Sequence, residues 1–196
     1  MIVEEHPLLG LQTLEAEFPE GLSAASPSGL VESLRLGSES PFVVSEEVKS
    51  PVRDLLRHGG FKPSGRNKPA SEYLIKASEK GFLSSINVAV DICNVVSLHS
   101  GIPISVVDLD LVQGDPRVAI AAQGESYVFN ASGQVLDIGG LICLFDADGA
   151  CANAVKDSHR TKTSPETTRV LYLFWAPIVL EKRAETALEW MRKWLT

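Results

Sequence analysis

The chain of 196 residues is 44% hydrophobic and 22% charged, an ordinary globular composition with enough length to bury a core without disulfides or metals. Its apolar content excludes a disordered chain, and its longest apolar run, Val170 to Leu180, is broken by Pro177 and falls short of the ~20 residues of a membrane span. The net charge of −7 argues against a protein that coats nucleic acid nonspecifically.

That charge is unevenly placed. Residues 1–48 carry one basic side chain against nine acidic ones, whereas residues 49–68 carry six against one, so a local basic patch is available to an anionic partner. The opening Met-Ile-Val-Glu-Glu has no basic stretch ahead of an apolar one, so no secretory leader is evident and a cytoplasmic location is expected. Cys93, Cys143 and Cys151 are an odd number without a Cys-x-x-Cys or a His pair; they read as buried free thiols, and neither a metal nor a cofactor is expected. No repeat or long linker interrupts the chain, which predicts a single domain over residues 1–196.

Taken in order, Leu14, Ala16 and Phe18 alternate with glutamates and predict a half-buried strand. Ser50 and Pro51 are suited to open a helix with a Val52/Leu55/Leu56 stripe, closed at Gly59-Gly60. A second helix is expected over Ala70 to Lys80, with Tyr73, Leu74 and Ala77 on one side and Gly81 as stop. From Ser85 to His99 the pattern is helical and apolar all round, which predicts burial. Its exception is a polar stripe, Asn87, Asp91 and Asn94, spaced for one face.

Short β-like runs follow: Ile104–Val107, Val118–Ala121, Tyr127–Asn130, Leu141–Asp146, Ala150–Val155 and Arg169–Trp175. Asp148-Gly149 signals a hairpin, and Gln-Gly-Glu-Ser around Glu125 reads as another hairpin tip. Leu180 to Leu195 closes the chain as an amphipathic helix seamed by Ala184, Ala187, Leu188, Met191 and Trp194, with Trp190 alongside. Helices and strands come in blocks, so the fold class is α+β.

The chemical signals are local. There is no nucleophile elbow, phosphate loop, dinucleotide fingerprint or metalloprotease helix. Asp146-Ala-Asp148 lacks the remaining ligands of a calcium loop, and Asp108-Leu-Asp110 lacks a third ligand, so both read as turn or capping carboxylates. The stripe of Asn87, Asp91 and Asn94 must meet backbone, ligand or water if buried. Lys156 to Thr163 concentrates cationic and hydroxyl donors in one loop suited to a phosphate or carboxylate. Within it, His159 is the candidate base near neutral pH.

Several segments together resemble a known family: Gly60-Phe-Lys-Pro-Ser-Gly-Arg, Ala70-Ser-Glu-Tyr-Leu, Ile86-Asn-Val-Ala-Val-Asp-Ile-Cys-Asn, Gly101-Ile-Pro and Val107-Asp-Leu-Asp. They are similar to the editing domain of the bacterial phenylalanyl-tRNA synthetase beta chain, and more so to its stand-alone relatives, with the closest resemblance over 53–177. The resemblance implies an α+β domain with a β-sandwich-like core flanked by helices. It also implies hydrolysis of amino acids wrongly esterified to tRNA. The family's Gly-Gln-Pro-x-His element falls on Gly101-Ile-Pro-Ile-Ser105, and its hydroxyl-reading glutamate falls on Leu173, so Ser105 and Leu173 stand where the editing histidine and glutamate would be. A leucine there favours an apolar substrate group over a hydroxyl.

The expected activity is therefore deacylation of mischarged aminoacyl-tRNA in trans. His159 is its base, and Asn87, Asp91, Asn94, Ser105, Arg160 and Lys162 are its binding residues. The alternative is a non-catalytic module that binds RNA or an amino acid on the same fold. The expected partner is tRNA or its aminoacylated acceptor end, with a synthetase or other protein as a further source of binding surface.

Overall fold

The computed structural model describes residues 1–43 and 45–196. Its central strand is β9 (Arg169–Phe174), which pairs antiparallel with β2 (Gln12–Glu17) on one side and β3 (Ile104–Asp108) on the other. A strand in that position is apolar on both faces, and β9 meets the requirement: Leu171, Leu173 and the following Trp175 enter one core while Val170, Tyr172 and Phe174 enter another.

The first core is shared with a four-stranded sheet in the order β1 (Ile2–Val3), β4 (Arg117–Ile120), β7 (Ile142–Asp146), β8 (Gly149–Asn153). A separate two-stranded ribbon joins β5 (Ser126–Val128) to β6 (Val135–Asp137). The second core is covered by helices α1 (Ser28–Glu32), α4 (Val88–Ser100) and α5 (Glu181–Trp194). Sheet, sheet and helices thus form successive layers, which is the α+β arrangement the blocks of elements predict. Helices α2 (Glu46–Arg57) and α3 (Ala70–Glu79) lie between β2 and α4 in the chain, and α2 packs on the first core.

Helix α4 carries out the burial its composition demands, with ten of its thirteen residues buried. Asn87 caps it, its Oδ1 accepting from Val90 N at 3.0 Å, and Gly101 ends it at φ +74°, a left-handed conformation that costs glycine least.

Some boundaries differ from expectation. Helix α2 starts a turn and a half before Pro51, because Ser45 accepts from Glu47 N and two glutamates occupy the first turn. The N–H that Pro51 lacks would have met the carbonyl of exposed Glu47, which water can serve. Helix α3 buries Ser71, Glu72 and Ile75, leaving Tyr73, Leu74 and Ala77 only half-buried. The Gln-Gly-Glu-Ser turn is not a hairpin tip, because β4 pairs with β7 while β5 pairs with β6. The hairpin at Asp148-Gly149 forms between β7 and β8, with Asp146 opposite Gly149.

Candidate active site

An open cleft of about 600 Å³ lies between β5, the β7–β8 hairpin and the 3₁₀ turn His159–Thr161. Glu125, Tyr127, Phe145, Gly149, His159 and Arg160 are among its lining residues. Its shape follows from local pairing. The 3₁₀ turn is fastened to β8, since Ser158 N and Thr161 Oγ1 both donate to Cys151 O, at 2.8 and 3.1 Å. Ser158 Oγ in turn accepts from Arg160 N. His159, between these anchors, is exposed, and among the described residues no side chain or backbone group hydrogen-bonds its imidazole.

Arg160 is differently placed. Its Nη1 and Nη2 donate to the two oxygens of Asp146 at 2.9 and 2.7 Å, and Nη2 also reaches Cys151 Sγ at 3.3 Å. The Asp146 side chain is wholly buried and accepts further from the N–H groups of Gln113 and Asp148. Burial acts to raise its carboxyl, and the Arg160 fork with the two N–H donors outweighs it and holds the group below the usual range. The guanidinium is thereby committed to a structural pair. Glu125 closes its own turn by accepting from Ala122 N at 2.9 Å.

Behind the cleft wall lies a buried polar cluster. Ser105 is inside β3, where its hydroxyl accepts from Trp175 Nε1 at 2.8 Å. That hydroxyl has one proton and two acceptors within reach, Asp157 Oδ1 at 2.6 Å and Asn153 O at 3.1 Å. Asp157 also accepts from Asn153 N, yet desolvation dominates and pushes its carboxyl up to about 6. Two arrangements satisfy the geometry. With Asp157 ionised, Ser105 donates to the carboxylate; with Asp157 protonated, the acid donates to Ser105, which donates on to Asn153 O. Asn153 Nδ2 donates to Tyr127 Oη, and Tyr127 Oη donates to Lys156 O at 2.5 Å, so the cluster reaches the cleft through a lining residue.

Of the expected base and binding residues, His159 and Arg160 line the cleft and the others do not. Asp91 is fully buried, accepting from Ser26 Oγ at 2.6 Å, Ser85 Oγ at 2.5 Å and Ile86 N at 2.9 Å. It clamps the segment leading into α4. Asn87 is the cap of that helix and touches the far end of the loop through Nδ2 to Thr163 Oγ1 at 3.2 Å. Asn94 is half-buried on the same helix, and Lys162 is exposed just past the 3₁₀ turn. Ser105 lies inside, one layer behind the cleft.

Asp157, Asn153 and Tyr127 escape sequence reasoning. Asp157 sits in the loop read for its cations, and nothing in its neighbours' residue types announces burial. Asp108 accepts from Thr167 Oγ1 and Asp110 N, and Asp110 pairs with Arg169, as turn and capping carboxylates do. Among the described residues no group of three metal-ligating side chains comes together, and no helix is long and apolar enough to cross a membrane.

Comparison with known proteins sets this geometry in a family. The family model described as the B3/4 domain matches residues 62–188. The chain belongs to the B3/4 domain family. This B3/4 chain is similar to the phenylalanine–tRNA ligase beta subunit of Pseudomonas putida, 30% identical over 124 residues covering 61% of the chain and 16% of the ligase subunit. It is similar also to the beta subunit of Synechococcus sp. strain CC9605, 31% identical over 144 residues covering 62% of the chain and 18% of the subunit. The chain thus spans about a sixth of the length of these relatives. Among solved structures it is similar to an N-terminal fragment of the phenylalanyl-tRNA synthetase beta subunit from Pyrococcus horikoshii, at TM-score 0.46 and 12% identity over 57% of this chain and 40% of that one.

Two positions at which the sequence resemblance expects other residues, Ser105 and Leu173, meet in space. Ser105 and Leu173 are direct partners across β3 and β9, so their side chains share a face. Both are buried, Leu173 completely, and neither lines the cleft.

Proposed function

We propose that this chain takes the aminoacylated end of a tRNA in the cleft beside the 3₁₀ turn and hydrolyses the ester in trans. What supports this most is one observation: in a B3/4 chain whose relatives are subunits of a tRNA ligase, a cleft of about 600 Å³ presents an exposed, unpaired imidazole, that of His159. The volume suits a small ligand such as an amino acid joined to a nucleoside.

An aminoacyl ester is an activated substrate. Water attacks the ester carbonyl while His159 removes its proton; the same imidazole returns that proton to the leaving ribose oxygen, releasing the free amino acid and uncharged tRNA. General-base help of this kind contributes typically ~10²–10⁴-fold. Phosphates next to the terminal ribose fall to Lys162, since Arg160 is occupied by Asp146.

A second reading is favoured by the buried cluster. The face that carries Ser105 and Leu173 is filled by Trp175 and Asp157, which suits a module that holds the acceptor end or an amino acid without turnover. Release of labelled amino acid from correctly and wrongly charged tRNAs separates the two. Turnover on a subset, lost in His159→Ala with unchanged melting temperature, supports hydrolysis. Binding without release on any tRNA in the panel establishes the non-catalytic module.

A further inference from the structure

Four of the six cations of residues 49–68 line one depression. This depression of about 390 Å³ between α2 and α3 is lined by Lys49, Arg53, Arg57, Lys68 and Lys76 together with Glu46 and Glu72. On α2 each cation has a carboxylate: Lys49 pairs with Glu46, Arg53 holds Glu72 through two bonds of 2.7 Å, and Arg57 pairs with Asp54. Lys68 and Lys76 have none within 4.0 Å among the described residues. They stand against each other instead, and the Lys76 ammonium beside it holds Lys68 below its usual value. Two like charges lining one depression without a carboxylate in pairing distance favour an anion between them.

The positive surface continues from there. Arg66 lies two residues before Lys68, in the 3₁₀ turn Gly65–Asn67. Its carbonyl accepts from Lys156 Nζ at 3.1 Å, and the Lys156 ammonium lies 4.4 Å from the Phe129 ring centre and 5.6 Å from that of Tyr73. Lys156 O is the acceptor of Tyr127, which lines the cleft, and Lys156 precedes His159 by three residues. The track therefore ends at Lys156, whose backbone carbonyl joins it to cleft residue Tyr127, in a chain whose net charge is −7. Against that acidic background an unpaired run of cations marks the part of the surface where a polyanion gains most.

We propose that the face running from Lys76 and Lys68 through Arg66 to Lys156 binds the phosphate backbone of RNA and leads its acylated end into the cleft. Only the last step rests on the proposed hydrolysis; backbone binding stands without it. The chemistry needed is a row of ammonium and guanidinium donors able to meet phosphate oxygens; Lys68, Lys76 and Arg66 supply it, and Lys156, anchored to Arg66 O, ends the row.

The test measures binding of an uncharged tRNA transcript to the full chain at several salt concentrations, for the wild type, for Lys68→Gln/Lys76→Gln, and for Lys182→Gln/Lys193→Gln on α5 as control. Release of amino acid from a 2′(3′)-O-aminoacyl-adenosine, which has no backbone, is followed in parallel. The expected result is that the Lys68/Lys76 variant binds tRNA more weakly and that its log K falls with log salt less steeply, by roughly one to two units of slope. The control keeps the wild-type slope, and the small ester is handled alike by all three proteins. Equal slopes for the wild type and the Lys68/Lys76 variant, or no binding of tRNA by the wild type, overturn the proposal. Patch-dependent binding without release of amino acid from the aminoacyl-adenosine retains backbone binding and overturns hydrolysis.

Discussion

Replacing Asp157 by Asn gives a stability difference whose sign and pH window follow from the buried cluster. The carboxyl is pushed up to about 6, against an ordinary aspartate value of about 3.9, so the folded chain binds this proton more tightly than the unfolded chain does. A group raised in this way contributes stability that is fully present below about pH 4 and is lost as pH rises through about 6. The difference between the two values corresponds to ~3 kcal/mol. The carboxyl is buried while the residue as a whole is half-buried, and relaxation with water entry around it reduces the effect to about 1–2 kcal/mol.

Asn is a close copy of the protonated acid at this position. Its Oδ1 can take the place of the carboxyl Oδ1 and accept from both Asn153 N and Ser105 Oγ, while the side chain carries no charge to desolvate. Urea unfolding followed by fluorescence of buried Trp175 at pH 4.5, 6 and 7.5 reads the outcome. Asp157→Asn is expected to be close to wild type at pH 4.5 and more stable by about 1–2 kcal/mol at pH 7.5. A variant less stable than wild type at pH 7.5, or a difference that does not change with pH, refutes the account of the cluster.

Other substitutions test neighbouring parts of the argument. Gly140→Ala places a Cβ 2.3 Å from Gly59 O at φ +76°, so a loss of at least ~2 kcal/mol in urea unfolding is expected; a loss under 0.5 kcal/mol (about the size of a surface change) means that α2 and the loop after β6 do not meet as described. Arg160→Ala leaves the fully buried Asp146 without its guanidinium and is expected to cost ~2–4 kcal/mol, most of it recovered when Asp146→Asn is added. Additive losses in that cycle contradict the pairing. Asp91→Ala removes the acceptor of Ser26, Ser85 and Ile86 N, and a drop of ~2–3 kcal/mol in stability is expected; an unchanged melting temperature would return Asp91 to the set of ligand-binding candidates.

The parts of the fold legible in the sequence are those fixed by local periodicity. Helix α4 shows its cap, its all-apolar body and its Gly101 stop, and β9 shows the uninterrupted apolar run of a strand covered on both sides. Elements held by their partners are not legible. Strand β1 is two exposed residues that exist only because β4 lies parallel beside them, and β6 carries one buried residue between two exposed ones. The Asp91 clamp is recognisable as a polar group needing partners, but the partners, Ser26 and Ser85, come from a distant loop and from outside the helix.

The site is legible to a similar degree and for the same reason. The loop from Lys156 to Thr163 stands out by composition, and it does carry His159 to the cleft. Charge alone, however, does not distinguish a cation that is free from one that is paired: Arg160 is taken up by an aspartate fourteen residues earlier, while Lys68 and Lys76, which carry no signal singly, are left without carboxylates. Ser105 and Leu173, where the resemblance expects a histidine and a glutamate, lie 68 positions apart in the chain, and only the β3–β9 register makes them neighbours. A histidine beside a glutamate on that face would be a polar pair needing room and partners, whereas Ser105 beside Leu173 lets Trp175 and Asp157 close over the face, one hydroxyl satisfying an indole N–H and meeting a carboxyl. The open imidazole of His159 lies one layer further out, at the cleft, so the proposed hydrolysis depends on that layer and not on the closed face.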